Sequence, residues 1–214
     1  MSAGRYWTKE TQAAAFEPGS RGRVLANTRG IVRVHDMQQA ESAALLALLY
    51  ALIEEVSEGR RFTCQDLCDY HRRWLGDIYP WAGEYRQVNM GKGGFQFTSA
   101  HLIPRLMSDY GRDILAAETP CAGMDHERLV RALARVHSEF ILIHPFREGN
   151  GRLARLLNSL MAFQAGLPAL DYGGIRGARK RAYIGAIHAS LGGDYAPLEV
   201  IFRTVIRRTL RVAA

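Results

Sequence analysis

Apolar residues recur every three or four places over most of this chain, the spacing that lays one stripe along a helix. Ala40, Ala44, Leu45, Leu48, Leu52 and Val56 mark a first long helix, which Gly59 ends. Thr63 is a good N-cap for a second helix, running through "CQDLCDYHRRWLGDI" to the turn before Pro80. In "MDHERLVRALARVHSEFILI", Leu129, Leu133, Val136, Phe140 and Ile143 form a stripe that faces a core. Leu153, Leu156, Leu157, Leu160 and Met161 form another, with Gly166 placed as the C-cap. Two further helices are predicted near residues 176–191 and 196–212.

The texture breaks once. "EYRQVNMGKGGFQFTS" alternates side chains around a glycine-rich centre, which predicts a β-hairpin in an otherwise helical chain. Ser99 then caps a helix reaching about residue 117. The expected fold is all-α with one β-hairpin flap. Residues 1–35, where Gly, Pro and charges interrupt every apolar run, read as an N-terminal arm, and residues 36–214 as the domain.

Composition narrows the setting. A chain of 214 residues, 48% of them apolar, is long enough for one domain with a substantial core. The net charge of +7 comes mainly from arginine and suits a partner or substrate that carries phosphate. Arg176, Arg179, Arg181, Arg203, Arg207, Arg208 and Arg211 are not interleaved with aromatic residues, and no DNA-binding motif surrounds them, so a nucleic-acid binder is disfavoured. Three cysteines form no disulfide framework, which points to a reducing, cytoplasmic location. Cys64, Cys68 and His71 would share a helix face, yet no fourth zinc ligand lies nearby, and they read as half-buried helix residues. The first thirty residues lack the pattern of a secretory leader, and "ESAALLALLYALIEEV" falls short of the ~20 residues a membrane span needs.

The chemistry gathers in "IHPFREGNGRLAR", residues 143–155. Pro145 stops one helix, while Gly149 and Gly151 permit a tight loop that feeds the N-terminus of the next. Free N–H groups and the helix dipole attract anions at such an end, and Asn150 adds an amide. Arg152 and Arg155, three apart, extend forked donors to the same side. Glu148 is out of place beside an anion unless a cation intervenes, and Mg2+ held by one carboxylate plus phosphate oxygens is the usual intermediary. His144 is the one group in the loop that accepts a proton near pH 7. Phe146 is expected to anchor the loop in the core.

"HPFREGNGR" followed by "LAR" resembles the motif of the Fic-domain family, His-Pro-Phe-x-Asp/Glu-Gly-Asn-Gly-Arg-x-x-Arg, at every defined position. "ANTRGI", "WAGEYRQVNM", "FTSAHLIP" and "RAYIGAIHASLGGDYAPLEVIF" resemble other stretches of that family, so the likeness covers about residues 25 to 205. It implies a mostly helical enzyme that transfers AMP from ATP to a hydroxyl side chain (Tyr, Thr or Ser) of a target protein, with Mg2+ as cofactor. On the matched positions His144 is the general base and Glu148 the metal ligand. Gly149, Asn150 and Gly151 form the anion hole, and Arg152 and Arg155 hold the β- and γ-phosphates. The hairpin, with Met90, Gly93, Gly94, Phe95, Gln96, Phe97 and Thr98, would register the target by strand addition. Tyr183 is a candidate wall of the nucleoside pocket, with an ordinary core tyrosine as the alternative.

Many members carry an inhibitory Ser/Thr-x-x-x-Glu-Gly/Asn helix. Here Glu58-Gly59 follows Glu54, and Glu148-Gly149 follows His144, so neither fits. The resemblance then implies a separate antitoxin-like partner that supplies a glutamate to Arg155, or an effector translocated into a host cell. Transfer of another phosphate-containing group on the same fold stands as the alternative chemistry.

Overall fold

The computed structural model describes residues 7–8 and 15–213, and the remainder of the predicted arm, residues 1–6 and 9–14, lies outside the described residues. The fold is mostly helical, as the periodicity requires. Strand β1 (Trp7–Thr8) precedes helices α1 (Val34–Glu55) and α2 (Cys64–Leu75), and β2 (Met90–Lys92) and β3 (Phe95–Gln96) form the flap. Helix α3 (Ile103–Tyr110) continues through a π turn at Gly111–Leu115 into the last turn α4 (Ala116–Glu118). Helices α5 (His126–Ile143), α6 (Asn150–Gln164), α7 (Gly177–Ala189) and α8 (Ala196–Ala213) complete the chain.

Two compact units divide these elements. The first holds the described residues up to Leu52, with Cys64–Ser108 and Ile143–Asn150. In it the arm docks on the turn after α2: the Thr28 N–H donates to the Ile78 carbonyl at 2.9 Å, and its hydroxyl donates to the Asp77 carbonyl at 2.8 Å. Helix α1 turns an acid inward, an arrangement its apolar pattern did not announce. Glu41 is buried, accepts the Tyr79 hydroxyl at 2.7 Å and, through its carbonyl, the Trp74 indole N–H at 2.8 Å. Those bonds offset the cost of burying the carboxylate.

The flap is the β2–β3 hairpin of an antiparallel sheet in the order β1-β2-β3, with Gly91 opposite Gln96 and Lys92 opposite Phe95. Only Gly93 and Gly94 join its two strands. Both have positive φ, +57° and +82°, which suits the primed two-residue turn that the twist of a hairpin favours. Ser99 does not cap the following helix with its side chain; instead the Ala100 N–H donates to Asn89 Oδ1 at 2.8 Å. The expected serine cap is thus replaced by an amide from the foot of the flap.

The second unit contains Ile53–Thr63, Asp109–Leu142 and the described residues from Gly151 onward. Leu129, Leu133, Val136 and Phe140 of α5 are buried, as are Leu153, Leu156, Leu157, Leu160 and Met161 of α6, so both predicted stripes are core. Gly166, with φ of +80°, closes α6 where expected. Gln164 is buried near that end and donates to the carbonyls of Ser57 and Arg60.

Candidate active site

The motif loop begins where Pro145 ends α5. His144 itself adopts a left-handed backbone, φ +54°, a conformation that costs a side-chain-bearing residue of order 1 kcal/mol. The residue is buried, and its ring lies against that of Phe97 from the flap, with centroids 3.7 Å apart and planes 11° from parallel. Phe146 fills the core as expected, fully buried and stacked on His71 at 4.0 Å.

His71 carries more of the loop than its sequence context suggested. The Gly83 N–H donates to its Nδ1 at 2.8 Å, which leaves Nε2 to carry the proton and donate to the Glu148 carbonyl at 3.1 Å. Both ring nitrogens are engaged with backbone, so His71 sits in a structural network. Among the described residues no three His, Cys, Asp or Glu side chains gather as a metal cluster.

Gly149 is required twice over. Its φ is +83°, and a Cβ there would come within 2.7 Å of the Trp74 ring. Gly151 differs, because a Cβ there would meet nothing within 4 Å. The space beside that backbone is open. Asn150 is fully buried and its side chain closes the loop, with Oδ1 accepting the Phe146 N–H at 2.8 Å and Nδ2 donating to the Phe146 carbonyl at 2.7 Å. Its side chain thereby holds Phe146 from both sides and fixes the start of α6, where the backbone N–H groups lie.

Glu148 Oε1 accepts the Gly149 N–H at 2.9 Å. A hard carboxylate just before a helix is the kind of donor that Mg2+ uses when phosphates and waters complete its shell. The residues present fit that ion.

Arg152 and Arg155 follow on the first turns of α6. In the second unit, the Arg155 guanidinium lies over the rings of Tyr172 and Tyr183, 5.3 and 5.8 Å from their centroids, within cation–π range. The Tyr183 hydroxyl is 2.6 Å from His137 Nε2. Burial and the Arg155 charge lower the His137 pKa to about 3, so this imidazole stays neutral. Burial pushes the hydroxyls of Tyr172 and Tyr183 up. Tyr183 therefore stands against Arg155. Of the flap positions, Met90 is buried in β2, Phe95 and Gln96 lie in β3, and Phe97 and Thr98 stand at its far foot.

Arg86 escaped the reading of the sequence. It is buried with its donors aimed at carbonyl oxygens, and burial together with the like charge of Arg147 lowers its pKa to about 10. Its place in an alternating stretch gave no sign of that, because its partners lie up to 58 residues away.

A model of the Fic/DOC family matches residues 61–162. A probable protein adenylyltransferase Fic of Salmonella typhimurium is 32% identical over 185 residues, 86% of this chain and 88% of the relative. Its Escherichia coli counterpart is 30% identical over 180 residues, covering 83% and 86%. Among solved structures, the BepC effector of Bartonella tribocorum with bound AMPPNP resembles the chain with a TM-score of 0.67 at 19% identity, over 85% of this chain and 91% of that one. The N-terminal Fic domain of a Bartonella quintana protein with bound ADP gives 0.70 at 19%, over 89% and 92%. At such identities the structural likeness speaks for the fold.

Proposed function

The chain belongs to the Fic/DOC family, and on that footing we propose that it is a protein adenylyltransferase, moving AMP from ATP to a hydroxyl side chain of another protein. The complete motif from His144 to Arg155 carries this reading, supported by the close fit of Gly149 under Trp74 and the open backbone at Gly151.

In the reaction, the target hydroxyl oxygen forms a bond to the α-phosphorus while the bond from that phosphorus to the bridging oxygen breaks, and pyrophosphate leaves. His144 takes the hydroxyl proton at its imidazole. Backbone N–H groups at the start of α6 and the guanidiniums of Arg152 and Arg155 offset charge on the phosphates, since transfer of this kind depends on positioning and neutralisation more than on covalent help. Glu148 would hold Mg2+, which supplies further positive charge at the phosphates. The flap would receive an extended segment of the target by strand addition. A separate partner presenting a glutamate to Arg155 would restrain the enzyme, because the chain has no inhibitory motif of its own.

The decisive experiment supplies ATP labelled at the α- or the γ-phosphate to the purified protein and a lysate. Adenylylation transfers the α label alone to protein and requires His144. Transfer of the γ label would instead establish phosphotransfer.

A further inference from the structure

A buried guanidinium ordinarily faces a carboxylate, because an unpaired charge away from water is costly. Arg86 is 3% exposed, and no carboxylate among the described residues accounts for it. Its donors fan out to main-chain oxygens. Nε donates to the His144 carbonyl at 2.8 Å and Nη1 to the Val88 carbonyl at 2.6 Å; Nη2 donates to the Thr98 carbonyl at 2.6 Å and the Ile143 carbonyl at 3.4 Å. The Arg86 N–H adds a bond to the Pro145 carbonyl at 2.8 Å.

These acceptors are not a random set. Val88 and Thr98 are the two feet of the flap, one before β2 and one after β3. Ile143 and His144 are the end of α5 and the residue in the left-handed conformation. Bonds from a charged donor are about twice as strong as neutral ones, and the planar fork fixes their directions. One side chain therefore sets the spacing between the two legs of the hairpin and the main chain under the imidazole.

We propose that Arg86 is a positioning residue that couples the flap to the base: it holds Val88, Thr98 and His144 in one register, so that a strand laid on the flap presents its hydroxyl to an imidazole already in place. The kinetic consequence rests on the adenylyltransferase reading; the mechanical coupling does not.

The test uses R86K, which keeps the charge but has one nitrogen that cannot span these carbonyls, and R86M, which removes the charge. Two amides report on the two sides. Phe97 N–H is bonded to the Met90 carbonyl across the flap, and Phe146 N–H to Asn150 Oδ1 in the loop. In R86K both amides should exchange with solvent faster by about tenfold or more, while amides in the middle of α2 keep their rates. The kcat for target modification should fall about 10²-fold, as small misplacements of a base allow, and the target KM should rise. ATP affinity, measured by calorimetry, should stay within about threefold of wild type, because no nucleotide contact is removed. R86M should move further in each respect, and if it fails to fold, R86K alone decides.

Faster exchange at only one of the two amides, at neither, or evenly throughout the chain would overturn the coupling. A wild-type protein that transfers no AMP would instead sink the proposed function, and the exchange rates in R86K would still decide the role of Arg86.

Discussion

The imidazole of His144 lies face to face with the ring of Phe97, 3.7 Å away, so the side chain proposed as the base is covered by one from the flap proposed to dock the target. Aromatic contact contributes about 0.5–1.5 kcal/mol beyond burial, and this stack fixes the plane of the imidazole. Phe97→Ala should therefore lower kcat about tenfold or more with little change in ATP affinity, whereas Phe97→Tyr should retain most of the rate. Initial rates of AMP incorporation at saturating ATP measure both.

Gly149→Ala combines a positive φ with a Cβ 2.7 Å from Trp74. Backbone strain and overpacking each cost about 1–3 kcal/mol. A loss of roughly 3 kcal/mol should lower the melting temperature by about 6–12 °C for a chain of this size. Gly151→Ala, with open space around it, should melt like wild type and yet bind ATP more weakly. Scanning calorimetry and nucleotide titration on the same pair of proteins separate the two effects.

Chelation of divalent cations should abolish transfer, and added Mg2+ should restore it. Glu148→Gln keeps an acceptor for the Gly149 N–H but removes the charge, so it should fold normally and require a higher Mg2+ concentration. Rates across a Mg2+ series provide the check. An unchanged requirement in the variant would show that another group holds the ion.

His137 gives stability a pH dependence with a defined sign. Its folded pKa is lowered to about 3, below the ordinary 6.5, so below pH 6.5 the unfolded chain binds a proton that the folded chain does not. This group therefore removes stability as the pH falls from about 6.5 toward 3, by up to about 1.4 kcal/mol per unit. His137→Gln should flatten that slope. Urea unfolding at pH 7, 6 and 5 measures it.

Tyr183→Phe removes the hydroxyl that meets His137 while keeping the ring beside Arg155. If Tyr183 serves Arg155, this change should raise the KM for ATP only a fewfold and Tyr183→Ala should raise it further, since a cation–π contact contributes about 0.5–2 kcal/mol. An ATP titration of the two variants checks the order.

The helices were legible because their information is local. Leu129, Leu133, Val136 and Phe140 declare a buried face within one segment, and Gly93-Gly94 declares a tight turn between two strands. The motif was legible because its members are adjacent in the chain. What holds the motif was not. His71 meets the Glu148 carbonyl across 77 positions and Arg86 meets the His144 carbonyl across 58, and no periodicity links residues so distant. The second task of Asn150 was hidden for a related reason: nothing in the sequence announces that its side chain closes the loop on both the N–H and the carbonyl of Phe146, four residues back. The Ser99 side-chain cap is not made, and the helix start is met instead by Asn89, eleven residues before Ala100.

The left-handed backbone at His144 sets robustness against turnover. Asparagine or glycine would occupy that φ with less strain, so the backbone gives the chain no reason to keep an imidazole there, and it is the stack on Phe97 that holds against the change. Libraries selected only for survival at high temperature should drift away from histidine at this one place wherever the Phe97 ring is lost, and become inert as they harden.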